Sequence, residues 1–231
     1  MSVEEQTDSQ QAATISMNGT TRQRVRVIFA RGENARYVGH LDMVRTWERI
    51  IRRADLPIAY SEGFNPHPRL TFAAALPVGC TSEHEVLDVI LSPLCDLSDV
   101  RARLDRAVPA GIQVLDVAEA PYSAPALQVQ ARATEFVVSV KTDEPLAQVQ
   151  ARAQALLAAP SVERTRREKT YDLRPLILDV WVEQGESGWV GIGMRLKADE
   201  SGTGRPDEVI AALGWDPTTV KMHRRKMIFA E

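Results

Sequence analysis

The hydrophobic period of this chain switches between two and about 3.6 residues several times, and that alternation restricts the fold more than any single residue does. Val25, Val27 and Phe29 alternate with Arg24, Arg26 and Ile28, the pattern of a strand with one buried face. Leu41, Val44, Trp47 and Ile51 follow at helical spacing, with Arg45, Arg49, Arg52 and Arg53 mainly off that stripe. Pro57 marks the helix end. Residues 60–69 hold Gly63, Pro66 and Pro68 and cannot be helical. Strands are predicted at 70–75 and 86–91. Asp96 then caps a helix with the stripe Leu97, Val100, Leu104 and Val108, and Gly111 ends it before a strand at 112–117. The order β-α-β-β-α-β is that of the split-βαβ or ferredoxin-like fold.

The second half repeats the order. Residues 135–141 read as a strand, and 145–158 as a helix with Leu146, Val149, Ala153 and Leu157 inward. A strand at 162–168 and a hairpin of 177–183 with 189–196 come next. Pro206 opens a short helix over 205–213, Gly214 stands just past its end, and 222–229 closes the sheet. The expected fold is α+β: two tandem ferredoxin-like (split βαβ) domains with antiparallel sheets. A disordered tail (1–21) precedes the first domain (22–118), and a linker (119–132) with Pro121 and Pro125 leads to the second (133–231).

Composition narrows the class. A chain of 231 residues that is 44% hydrophobic is not wholly disordered, and 2 Cys make no disulfide scaffold. No apolar run approaches the roughly 20 residues that span a bilayer, and the acidic start is unlike a signal peptide. The expectation is a cytoplasmic protein with no membrane partner and with Cys80 and Cys95 reduced. Net charge is −3, so bulk charge does not argue for nucleic acid. Its distribution does. Arginines 22, 24, 26, 31, 36, 45, 49, 52, 53 and 69 face only five acids over residues 22–69, whereas 83–119 is acidic apart from Arg101, Arg103 and Arg106. Further basic stretches lie at 164–174 and 221–226.

Candidate chemistry gathers around residues 39–42 and 61–69. His67, held between two prolines, is either a base-stacking or acid–base group or a loop histidine donating to a carbonyl. His40 either helps open its helix beside Asp42 or acts with His67. The two stand at opposite ends of a helix roughly 22 Å long, which argues against their pairing. Four His and 2 Cys without CxxC or HExxH spacing imply no metal, and no cofactor motif is present. Cys80 reads as a small buried residue, and Asp88 faces away from Glu85 on a strand. Arg45, Arg49, Arg52 and Arg53 form a solvated helix face or, with Arg31, Arg36 and Arg69, a phosphate-tracking surface beside Phe64, Asn65 and Tyr60. In the second half Arg164, Arg167, Lys169, Tyr171, Arg174 and Arg205 are the matching candidates, with Asp172 in a fixed turn. The Gly-rich run 201–206 could cradle a phosphate, although Asp207 and Glu208 would repel one.

These residues carry a family resemblance. The runs are Tyr37-Val38-Gly39-His40-Leu41-Asp42, then Arg45, Glu48, Arg49 and Arg52-Arg53-Ala54, then Ser61-Glu62-Gly63-Phe64-Asn65-Pro66-His67-Pro68-Arg69 and Leu76-Pro77-Val78-Gly79. Arg167-Glu168-Lys169, Tyr171-Asp172-Leu173-Arg174-Pro175 and Gly204-Arg205-Pro206 complete them. Together, over about residues 22–229, they resemble a bacterial radical SAM-linked family, a domain of unknown function found beside or fused behind radical SAM proteins. Glu62 departs from that pattern, where Gln is expected. The resemblance implies an accessory, substrate-presenting role with a radical SAM protein as partner. With two cysteines the chain cannot supply the three-cysteine cluster motif of the radical enzyme itself. The favoured expectation is RNA binding without catalysis, on a continuous cationic groove that folding assembles from the separate basic blocks, with residues 63–69 at its rim. One alternative is an RNA-processing or RNA-modifying enzyme using His67 or His40 with Asp172. Another is a protein-only adaptor docking on an acidic partner.

Overall fold

A computed structural model describes residues 14–17, 20–186 and 188–230. The chain is mixed α/β, with mostly antiparallel strand pairing and five α-helices among the described residues. It divides into two compact units: residues up to 78 with 84–130, and residues 79–83 with 131–231.

The first unit starts with β1 (Thr14–Met17), which pairs antiparallel with the start of β2 (Thr20–Arg31). Thr14–Met17 and the first residues of β2 fall in the stretch 1–21 expected to be a disordered tail; residues 1–13, 18 and 19 of it lie outside the described ones. A 3-10 turn (Glu33–Ala35) leads to α1 (His40–Arg53), followed by β3 (Leu70–Phe72), β4 (Cys80–Leu91), α2 (Leu97–Ala107), β5 (Ile112–Ala120) and a single turn, α3 (Leu127–Gln130). The strands lie in the order β5-β2-β4-β3. Val25, Val27 and Phe29 are buried as their alternation predicts. The stripe of α1 is displaced by part of a turn: Met43, Trp47, Ile50 and Ile51 face the core, while Leu41 is 71% exposed. Phe29 joins the layers, its ring 4.8 Å from Trp47 and 6.2 Å from Phe72, both edge-on. Asp96 caps α2, its side chain accepting from the N–H groups of Ser98 and Asp99.

The second unit contains the first residues of β4, β6 (Ala131–Lys141), α4 (Leu146–Ala158), β7 (Glu163–Arg166), β8 (Lys169–Asp172), β9 (Ile177–Gln184), β10 (Trp189–Asp199), β11 (Gly202–Thr203), α5 (Pro206–Ala212) and β12 (Lys221–Phe229). Its sheet runs β12-β6-β10, with β9 and β11 paired to β10. Residues 80–82 of β4 add to it in parallel alongside Met222, His223 and Arg224. Val149, Ala153 and Leu156 turn inward from α4, with Leu156 in place of the expected Leu157. The predicted strand at 162–168 is the hairpin β7–β8, a separate two-stranded sheet. Gly193 lies opposite Trp181; a Cβ there would sit 2.1 Å from the indole, so only glycine lets the ring cross β10.

Candidate functional site

Residues 57–70 form a hairpin stem anchored to β4. Ile58 bridges Leu91, Ala59 N donates to Ile90 O at 2.8 Å, and Ile90 N donates to Arg69 O at 3.0 Å. Higher up, Arg69 N donates to Ala59 O at 2.8 Å, Tyr60 bridges Pro68, and Ser61 N donates to His67 O at 2.9 Å. The Ser61 hydroxyl accepts from His67 N at 2.9 Å, closing the last rung. Gly63 has φ +121° with nothing within 4 Å of its missing Cβ, so it is there for backbone conformation and not for space. Pro66 and Pro68 remove donors that a free loop would otherwise have to satisfy. The result is a stiffened tip that carries Phe64 fully into solvent (106% exposed), beside exposed Asn65 and His67.

The stem forms one wall of a cleft of about 280 Å³; Glu48 and Arg52 of α1 line the other, with Tyr60 and Pro68 on the stem side. Arg49, Arg52 and Arg53 are exposed on α1 and make no ion pair among the described residues; the Glu48–Arg52 pair that their spacing permits is not formed. Arg53 also lines a notch of about 120 Å³ with Arg103 and Arg106 of α2. Basic residues suit this end of α1 whatever their function, because the last turn carries the negative end of the helix dipole. Arg103 and Arg106 were hidden in the sequence by their acidic surroundings; their three-residue spacing on a helix was the available signal.

The other candidates fare differently. Arg45 pairs with Asp42 at 3.2 Å, and Arg69 donates to the Tyr122 hydroxyl at 3.2 Å. Arg31 is buried, with its guanidinium on the carbonyls of Ala35, Arg36 and Val38, where it shapes the turn before α1. Glu62 lies 4.0 Å from Arg22. His40 is exposed with its ring 5.5 Å from that of Phe72, and the His67 side chain makes no hydrogen bond among the described residues. In the second unit Arg164 and Arg166 both reach Glu208, at 3.0 and 3.8 Å. Arg174 donates to the carbonyls of Leu157 and Ile177, and Arg205 pairs with Asp207 at 2.9 Å. Arg167 and Lys169 stay exposed around the β7–β8 turn. Burial, then the nearby Glu208 carboxylate, raises the Tyr171 phenol above its ordinary pKa. Asp172 accepts from Val162 N and Arg174 N, and those bonds hold its carboxyl below the usual range. A carboxylate so stabilised in its charged form is a turn-former and a poor base at neutral pH. Gly204 stands where a Cβ would meet Leu176 O at 2.7 Å, so packing accounts for part of the Gly-rich run. Among the described residues no cluster of three His, Cys, Asp or Glu could hold a metal, and no helix is long and apolar enough to cross a membrane.

Residues 24–206 match the model of a family described as "Uncharacterized protein conserved in bacteria (DUF2344)". The chain belongs to that family. DUF2344 thus takes in both units, from β2 to the first residue of α5. No curated protein matches the chain. Among solved structures, similarity extends to a chain of a Cbf5-Nop10-Gar1 complex, at 11% identity and a TM-score of 0.45, covering 87% of this chain and 48% of that one. An H/ACA RNP bound to a substrate RNA containing 2'-deoxyuridine gives 11% identity, a TM-score of 0.42, and 86% and 46% coverage. An unknown protein from Galdieria sulphuraria gives 15%, 0.27, and 91% and 99%. The DUF2344 chain spans about half the length of the first two.

Proposed function

We propose that this protein is a noncatalytic RNA-binding accessory protein, and that the outer face of α1 with the 59–69 hairpin is its contact surface. One observation carries the reading: Arg52 lines a cleft whose other wall holds Tyr60, Arg49 and Arg53 are exposed on the same helix, none of the three has a carboxylate partner among the described residues, and the hairpin ends in an exposed Phe64. Cations that track phosphates next to aromatic rings that take bases are the two parts of a single-strand site. This narrows the groove expected from sequence, because Arg31, Arg164, Arg174 and Arg205 are engaged within the fold. The acid–base alternative is weakened by His67, whose side chain has no titratable partner among the described residues, and by Asp172, which is occupied by two backbone amides. The partner that receives the RNA is a radical SAM protein in this proposal, which for that step rests on the sequence resemblance alone. We also read both units as ferredoxin-like and antiparallel, since β5-β2-β4-β3 and β12-β6-β10-β9 place equivalent strands in the same order.

The test is filter binding of the full chain to single-stranded RNA at several salt concentrations. Affinity should fall linearly with the logarithm of salt, and the triple variant Arg49→Glu, Arg52→Glu, Arg53→Glu should abolish it. Absence of RNA affinity, or affinity indifferent to both salt and the triple variant, would sink the proposal.

A further inference from the structure

We propose a second binding site, in a cleft of the second unit, that takes one nucleoside monophosphate: its base lies against tryptophan and its phosphate against lysine. The cleft measures about 400 Å³, within the range of small-molecule sites, and is lined by Trp189, Trp215, Lys141, Thr142, Asp143 and Thr219. It lies where β6 ends and the chain turns towards α4. Trp189 pairs directly across the ladder with Lys141, so the two side chains leave the sheet on one face. Lys221 pairs with Ser139, two residues back along β6 and therefore on that same face, and its Nζ stands 5.4 Å from the Trp189 ring centroid. Trp215 is held in place: the Arg152 guanidinium stacks on its ring at 4.1 Å and is itself fixed by Glu144 at 2.7 Å.

The residues select among ligands. Lys141 and Lys221 have no carboxylate partner among the described residues, so a cation in this cleft would meet the Lys141 ammonium in its lining and that of Lys221 beside Trp189, against one acid of the lining, Asp143. A neutral sugar would use the indoles and leave the lysines unanswered. An aromatic ring carrying an anion uses both. Asp143 remains for the edge of the base or the ribose, and the Thr142 hydroxyl, whose oxygen accepts from Glu144 N at 3.2 Å, keeps its proton to donate there. The same chemistry is offered by a free nucleotide and by one residue of an RNA chain. The site does not rest on the RNA surface of α1, because none of its residues belongs to the first unit.

Tryptophan fluorescence of the full chain, titrated with AMP, UMP, their nucleosides and inorganic phosphate, tests the site. Saturable quenching by AMP or UMP is expected. Trp189→Leu and Trp215→Leu should each weaken it by about tenfold or more, the scale of one lost stacking contact. The double variant Lys141→Met, Lys221→Met should weaken the nucleotides equally and leave nucleoside binding unchanged. Those lysines are exposed, so this arm survives if a tryptophan variant fails to fold. An oligouridylate binding more tightly than UMP, and lost in the same variants, would assign the site to RNA; equal or weaker binding would assign it to the free nucleotide. The Arg49, Arg52, Arg53 triple variant should bind UMP as the parent does, so the two sites fail separately. No saturable quenching into the millimolar range, or the same affinity in every variant, overturns the proposal.

Discussion

Asp88 is 2% exposed on a central strand, and two arginines of the neighbouring strand close over it. Arg26 donates through Nε at 2.8 Å and Nη2 at 3.0 Å; Arg24 brings its Nε to 2.9 Å, out of line for a hydrogen bond. The outer nitrogens of Arg24 continue to the carbonyls of Pro121, Ala124 and Pro125, tying the segment after β5 to the sheet. In the sequence Asp88 is an interruption in an apolar strand and Arg24 and Arg26 belong to a basic block. The 62 positions between Arg26 and Asp88 hide the relation. Removing the buried negative charge that both guanidiniums approach leaves their repulsion less compensated in a site with little water. Asp88→Asn should therefore destabilise the first unit by about 3 kcal/mol, read as a lower midpoint in urea with an unchanged slope.

Elements were legible where one period ran uninterrupted and less so where backbone conformation decided the matter. The helix over 40–53 follows from spacing, yet which stripe turns inward appears only in the packed structure, where Met43 and Ile50 are buried and Leu41 is not. The β7–β8 hairpin was missed because its two-residue turn carries none of the usual glycine or asparagine. Arg167 and Glu168 hold φ of +48° and +67° instead, in the left-handed region that such turns require. L-residues with a Cβ are strained there, so Arg167→Asn with Glu168→Gly should raise stability by about 1 kcal/mol, seen as an increased Tm. If those two side chains make contacts that outweigh the strain, Tm would fall. At 59–69 Gly63 and two prolines announced a rigid, non-helical loop, and its pairing into a hairpin had to be supplied by the structure.

Across the chain as a whole, the arginines separate into those the fold uses and those it leaves on the surface, and RNA binding should respect that division. Neutralising Arg49 or Arg52 should lower the salt slope of RNA affinity by about 0.7 each, the value for a single strand. Arg174→Met should cost stability, because it strips donors from the Leu157 and Ile177 carbonyls, and leave the slope unchanged. A slope that drops equally for Arg174 and Arg52 would mean that the division is drawn in the wrong place.

Local chemistry sufficed for the first unit's strand–helix order, the Asp96 cap and the rigidity of the loop over 60–69, because periodicity, capping and proline geometry act over a few neighbouring residues. Pairing across long separations did not show in the order of residues. Arg31 on three carbonyls, Arg164 on Glu208 and Trp189 beside Lys141 are contacts made by strand register and packing. Charge in a sequence counts groups; burial and partners, which exist only once the chain is folded, determine which of them a ligand can reach.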